Sequence, residues 1–324
     1  MRLKSLFGFF SFRTVFEDRP LLSSLEINEL IAQAGSLKKA QASGRNQLSQ
    51  PGDQVSTIIG GGVDFADRRT YVSGDDPRFI DWKASARSQQ TLVKNYFTEV
   101  NLPACVVIDR RSSLAFGTCK RLKITQAIRI AITLGIQILR AGHPLACLII
   151  DRAHKSGDGS GNDREKIWQP AQNSINAFRQ TINFCARAYP LQEESEDKVS
   201  GSWRNICGNL KKHLPVGSRI ILISDFFQLD SSDWVALQNL SHQYDLSAVQ
   251  VIDQAEQVLP SLNNISLNFR QYIKHELVNS AEITTLNVKL QTKLQQQVDW
   301  FKKNNCHFIR VKSHDELTVL QGEF

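Results

Sequence analysis

The 324-residue chain is 41% apolar and 22% charged, enough to bury a sizeable core as one large domain or two small ones. Its 39 Lys and Arg against 32 Asp and Glu leave a formal charge of +7, a mild bias toward acidic partners. The basic residues fall in small scattered clusters with no recognition module among them, so no specific nucleic-acid partner is expected. Six cysteines, at 105, 119, 147, 185, 207 and 306, show no Cys-x-x-Cys spacing, which argues against a zinc or redox centre and suits a reducing compartment.

Met1 to Phe12 is basic and then apolar, but Arg13 interrupts it and no small-residue cleavage site follows. With no spanning-length apolar run in the sequence, a soluble, cytoplasmic protein without a transmembrane segment is expected. Pro20 to Ala34 reads as a short helix, followed by a polar, basic stretch to about Gln54, and Gly60 to Gly62 reads as a break. Arg68 to Val72 and Leu92 to Val100 read as strands, with a turn and short helix over Asp76 to Arg87 between them.

Four nearly unbroken apolar runs come next: Ala104 to Ile108, Leu145 to Ile150, Ile220 to Ile223 and Leu246 to Ile252. Runs without alternation suit strands buried on both faces, as in a parallel sheet covered by helices. Lys120 to Arg140 lies between the first two with one apolar face and Gly142 at its end, which completes a βαβ unit. Further helices are predicted over Ala171 to Ala188, Trp203 to His213, Ser232 to His242 and Val288 to Asn304, with a last strand at His307 to Val311. Lys155 to Glu165 reads as a polar loop. The whole is an α/β protein with a doubly wound, mostly parallel sheet. Its expected divisions are a helical and polar lead-in over 1–59, a β-hairpin and helix accessory module over 60–101, and the α/β domain over 102–324.

Asp109, Asp151, Asp225 and Asp253 stand at the carboxyl ends of these strands, where such sheets take their ligands. One reading is that each acid caps the helix or turn that follows. The other is that two carboxylates with nearby hydroxyls make a hard oxygen site for Mg²⁺.

Val107-Ile108-Asp109-Arg110-Arg111-Ser112-Ser113 resembles the Asp-x-Ser-x-Ser strand end of von Willebrand factor A domains, and Leu222-Ile223-Ser224-Asp225 resembles their later Ser-Asp strand end. Gly201-Ser202 can stand for their loop Gly-Thr. The resemblance implies Asp109, Ser113, Ser202 and Asp225 around an ion, but Arg111 occupies the place of the first serine. A divalent ion about 4 Å from that guanidinium would meet roughly 4 kcal/mol of repulsion at an effective dielectric near 20, about doubled by its second charge. The expectation is a degenerate ion site in which Arg111 replaces the metal, with no cofactor and Mg²⁺ as the alternative.

Upstream, Arg69-x-Tyr71, Gly74-Asp75-Asp76, Arg78, Ile80-Asp81-Trp82-Lys83 and Ser85-Ala86-Arg87, then a strand ending in Glu99, closely resemble the hallmark of the domain of unknown function 58 family. Gly74 suits a tight turn and Asp75 or Asp76 can cap the helix that begins near Pro77. Trp82, Phe79 and Ile80 are expected to anchor that helix to the body, while Arg78, Asp81, Lys83 and Arg87 form a polar face. The segment can be a clamp or a docking surface, and an exposed aromatic among paired charges would favour docking.

The resemblance implies partnership with a MoxR-type AAA+ ATPase and with other von Willebrand factor A-like proteins, as a non-enzymatic adaptor or co-chaperone. No phosphate loop, nucleophile elbow or His-Glu-x-x-His helix occurs in the sequence. Asp109-x-Arg111 also lacks the second aspartate of a phosphoaspartyl phosphatase. The rivals are a metal-dependent hydrolase using Asp109 and Asp225, and a basic nucleic-acid-binding protein.

Overall fold

The computed structural model describes residues 20–36, 55–99, 101–151, 166–188, 202–227, 229–257, 265–266, 277–278 and 280–320. In chain order these form α1 (Ser24–Ser36), β1 (Val55–Thr70), α2 (Trp82–Ser88), β2 (Leu92–Glu99), β3 (Ala104–Asp109), α3 (Lys123–Arg140), β4 (Leu145–Ile150), β5 (Lys166–Gln172) and α4 (Ile175–Cys185). There follow α5 (Trp203–His213), β6 (Arg219–Ser224), α6 (Ser231–Ser241), β7 (Asp245–Ile252), α7 (Gln254–Gln257), the two-residue pair β8 (Ile265–Ser266) and β9 (Leu277–Val278), α8 (Ser280–Lys303) and β10 (His307–Lys312). The predicted N-terminal segment, the Lys155 to Glu165 loop and Gly201 lie outside the described residues.

The main sheet has six strands in the order β10-β7-β6-β3-β4-β5, all parallel except β5. From β3 the chain winds one way through α3 to β4. From β6 it winds the other way through β7 to β10, so the strand order reverses between β3 and β6. Strands β3 and β4 are buried throughout, and β6 and β7 nearly so, which is why their sequences run apolar without alternation. Helices cover both faces, and α3 is sandwiched between the sheet and α1 with α4, so it is buried nearly all round. The opposite face packs α5, α6 and α8 around Trp203, Phe226 and Phe301.

Local chemistry sets the helix boundaries. Ser23 and Glu26 cap α1 reciprocally, with the Ser23 amide donating to the Glu26 carboxylate at 2.8 Å and the Glu26 amide to the Ser23 hydroxyl at 3.2 Å. Asp230 and Asp233 do the same for α6. Gly142, at φ 87°, closes α3 in the left-handed conformation that glycine adopts without strain.

The structure corrects several expectations. Gly60 to Gly62 is not a break but lies inside β1, where the pairing with β2 shifts register between Gly60 and Phe65. Glycines accommodate such a bulge. The strand starts at Val55 and ends at Thr70, short of Val72. The helix expected over Ala171 to Ala188 begins at Ile175, because Lys166–Gln172 pairs antiparallel with β4. Pro170 disguises that strand in the sequence. At the sheet edge its missing N–H is tolerated, and the register shifts opposite it. Helix α8 starts at Ser280, well before Val288.

Trp82 and Phe79 do not anchor the accessory helix. Trp82 is 69% exposed and Phe79 41% exposed, and α2 has no buried residue. Polar bonds attach the helix instead. Asp81 accepts from the Ala84 amide at 3.1 Å and from Arg68 Nε at 2.8 Å, the Ser85 hydroxyl accepts from the Leu92 amide at 2.8 Å, and Ile80 bridges to Val93.

Gly135 lies where α3 meets α4, and a methyl group there would overlap the ring of buried Phe178. Gly135→Ala should gain about 1 kcal/mol of helix propensity but lose roughly 1–3 kcal/mol to overpacking. The expected result in urea unfolding is net destabilisation, relieved when Phe178→Leu is added. A Gly135→Ala chain more stable than the parent would show that the two helices do not meet so closely.

Candidate functional site

Asp109 ends β3, and Ser224 with Asp225 ends the neighbouring β6, so both carboxylates sit where the strand order reverses. Asp109 is fully buried. Arg111, two residues on, clasps it in a fork, with Nε 2.9 Å from Oδ1 and an Nη 2.7 Å from Oδ2. The Arg111 amide adds a bond of 3.0 Å to Oδ1, and the Ser224 hydroxyl donates to Oδ2 at 2.6 Å. The guanidinium lies 5.3 Å from the Trp203 ring centre. Burial opposes the charge on Arg111, but Asp109 beside it, with Asp225 and Asp233 further off, raises its pKa above the usual arginine value.

Asp225 has a cation of its own. Lys123, the first residue of α3 and 1% exposed, places Nζ 3.0 Å from Asp225 Oδ2 and 2.5 Å from Glu256 Oε1. The Phe116 and Phe227 rings flank that ammonium at 6.0 and 5.5 Å. Burial works to raise the Asp225 carboxyl, but Lys123, the Phe227 amide and the Ser113 hydroxyl hold it below the ordinary carboxylate range. Burial raises Glu256 despite the same lysine, and nearby Asp225 adds to the shift. Of the two acids sharing Lys123, Asp225 is therefore the one more firmly ionised.

The turn after β6 is held under strain. Phe226 adopts φ 55°, unusual for a bulky buried residue. Its carbonyl accepts from Gln297 Nε2 at 2.8 Å, and the Asp225 carbonyl accepts from Gln250 Nε2 at 2.9 Å. Arg310 Nε in turn donates to Gln250 Oε1 at 2.7 Å, and Lys293 donates to the Phe227 carbonyl at 2.7 Å. This polar network spans β7, α8 and β10 and fixes the backbone that carries Asp225.

The other strand-end acids are accounted for locally. Asp253 accepts from the Thr118 amide at 3.0 Å, the Thr118 hydroxyl, the Ser313 hydroxyl at 2.8 Å and the Ala255 amide at 3.1 Å. Asp151 pairs with Arg110 at 2.8 Å. Ser113 reaches Asp225, whereas Ser202 caps α5 and donates to Asp233 Oδ1 at 2.7 Å, and neither of these bonds involves Asp109 or Asp225. Lys123 and Glu256 escaped the sequence reading, although a lone lysine in register with Ala127, Ala131 and Leu134 on an apolar helical face was a usable signal.

The hallmark residues make a second assembly. Arg69 clasps Asp75 at 2.7 and 2.6 Å, Asp75 accepts from the Val72 amide at 2.9 Å, and Gly74 takes φ 110° between them. Tyr71 is held through its amide to the Thr91 carbonyl at 2.8 Å. Asp76 accepts from the Arg78 amide at 3.0 Å and faces the Arg78 side chain at 3.7 Å. Arg68, absent from the sequence-predicted set, pairs with Asp81. Lys83 and Arg87 have no ion-pair partner among the described residues.

A divalent ion does not suit the strand-end donor set as arranged. Both Asp109 oxygens are committed to Arg111, one of them also to Ser224, and Asp225 is committed to Lys123. A metal would have to displace a buried cation from its carboxylate. Among the described residues no cluster of three His, Cys, Asp or Glu is placed to hold a metal.

The family model described as Protein of unknown function DUF58 matches residues 67–295. Uncharacterized proteins of Mycobacterium bovis and Mycobacterium tuberculosis are 25% identical over 219 residues, which is 67% of this chain and 63% of theirs. The chain thus spans less than two thirds of the length of these relatives. Among solved structures, the conserved hypothetical protein BatB of Bacteroides thetaiotaomicron aligns at a TM-score of 0.38 and 10% identity, over 68% of this chain and 93% of that one. An aerotolerance-related membrane protein of Bacteroides fragilis aligns at 0.38 and 14%, over 68% and 94%.

Lys123→Met would leave Asp225 and Glu256 buried without their cation, and should cost about 3–5 kcal/mol near neutrality. The depressed pKa of Asp225 contributes stability above the unfolded carboxylate pKa, and that contribution is lost as pH falls through the folded value. Removing Lys123 abolishes the depression, so the penalty should shrink in mildly acidic buffer, where both acids take up protons. Adding Asp225→Asn and Glu256→Gln should restore part of the stability. Urea unfolding of the three chains at two pH values checks this, and a penalty independent of pH would contradict the arrangement.

Proposed function

The chain belongs to the DUF58 family, and from that premise we propose that it is a non-enzymatic protein-interaction adaptor built on a von Willebrand factor A-type domain whose ion site is degenerate. The observation that carries this reading is the internal pairing at the switch point. Where an α/β sheet takes its ligand, Asp109 is neutralised by Arg111 and Asp225 by Lys123. General acid-base or metal-assisted chemistry needs a carboxylate free to reach substrate, water or metal. A hydrolase using Asp109 and Asp225 would first have to break two buried ion pairs. That cost supports the cofactor-free, non-catalytic reading.

The family resemblance supplies the partner class, a MoxR-type AAA+ ATPase together with other von Willebrand factor A-like proteins. In this reading the ATPase does the mechanical work and this chain links it to a client. A cytoplasmic location belongs to the same proposal and agrees with six unbridged cysteines. No described helix is long and apolar enough to cross a membrane.

The test is co-elution of the chain with a MoxR-type AAA+ ATPase of the same organism, together with ATP hydrolysis measured with and without the chain. Stable association and a changed hydrolysis rate are expected. No association at micromolar protein, or phosphate release from generic esters that is lost in Asp225→Ala, would refute the adaptor.

A further inference from the structure

The hairpin module pairs three of its four described acids with arginines and leaves an aromatic in water. Among its described side chains Val93 is the one buried apolar residue, while Phe65, Val72, Phe79 and Trp82 are exposed. A seven-residue helix has little stability of its own, yet α2 is held outward by a capping aspartate, an ion pair and a hydroxyl bond, with Trp82 in its first turn. An indole left in water on a helix that, among the described residues, is attached by polar groups contributes little packing to the fold.

Charge on this surface is unequal. Asp75, Asp76 and Asp81 are matched one to one by Arg69, Arg78 and Arg68. Asp67 accepts from the neutral Asn95 amide at 2.7 Å, which does not cancel its charge, while Lys94 adds a further cation to the module. Lys83, beside Trp82, and Arg87, one turn further along α2, are exposed and lack an acidic partner among the described residues. The paired charges form a polar rim and the indole a large apolar contact, the anatomy of a binding hot spot. Among the described side chains the module carries two more cations than acids, and that excess sets the sign of what covers the indole.

Resting on the adaptor reading and deepening it, we propose that the exposed face of α2 docks an acidic segment of a partner protein, which covers Trp82 with a bulky apolar side chain and pairs its carboxylates with Lys83 and Arg87. A protein segment is favoured over an anionic membrane because α2, seven residues long with Trp82 as its one large exposed apolar side chain, lacks the apolar face that seats a helix in lipid. The specificity is electrostatic and the affinity comes mainly from the indole.

The full chain is titrated with two synthetic peptides of identical leucine and phenylalanine content, one rich in glutamate and one in lysine, and with phosphatidylserine-containing vesicles. Fluorescence at Trp82 is separated from the other tryptophans by a Trp82→Phe control. Saturable binding of the glutamate peptide is expected, weakened about tenfold or more by Trp82→Ala. The double reversal Lys83→Glu, Arg87→Glu should shift preference to the lysine peptide. Unchanged thermal midpoints in these surface variants exclude misfolding. Equal binding of both peptides, no binding, or binding to vesicles alone overturns the proposal. If the parent chain captures the ATPase and Trp82→Ala captures it equally well, the adaptor stands and this docking face falls. If the parent captures no ATPase but the glutamate peptide binds as described, the ATPase partnership falls and the docking face stands.

Discussion

Two carboxylates buried at the one place where a doubly wound sheet opens must be neutralised, and here the chain does so with its own side chains. Arg111 supplies a planar fork that meets both oxygens of Asp109, and Lys123 supplies a compact ammonium to Asp225 and Glu256. Such pairs rarely add net stability over an apolar filling, but breaking one leaves an uncompensated buried charge. They therefore constrain the loops that carry them. The 3₁₀ turn Ser112–Leu114, the start of α3, the strained turn at Phe226 and α7 all converge on this cluster.

Around this closed centre the remaining features fall into place. Gln250, Gln297 and Arg310 turn the polar interior of β7, α8 and β10 into a support for the Asp225 backbone, so the strain at Phe226 persists. The core on either face is apolar, with buried thiols that behave as small hydrophobes. Burial raises the pKa of Cys185 and Cys207 to about 12, so they stay protonated and unreactive. The hairpin module differs in that its ion pairs face water.

The sheet was legible because burial on both faces leaves a direct mark: β3, β4, β6 and β7 read as apolar runs and end within a residue or so of their predicted limits. Edge strand β5 was illegible because Pro170 is penalised in a central strand and harmless at an edge. The triple glycine in β1 read as a break because a bulge and a turn use the same residue. Asp109, Arg111 and Asp225 could be placed near one another from their strand ends together with the von Willebrand factor A resemblance, which makes the two strands neighbours. Lys123 could not, since its role depends on which helix face meets the carboxyl end of a neighbouring strand, a fact of topology and not of local pattern. Trp82 misled for a related reason: an aromatic beside Ile80 reads as an anchor until the backbone shows that capping bonds already hold the helix.

The central claim is that internal cations occupy the place of a metal ion. Calorimetric titration of the parent chain and of Asp109→Ala with Mg²⁺ and Mn²⁺ tests it most directly. The account predicts no saturable heat in the submillimolar range from either protein. A submillimolar site in the parent that disappears in Asp109→Ala would contradict it.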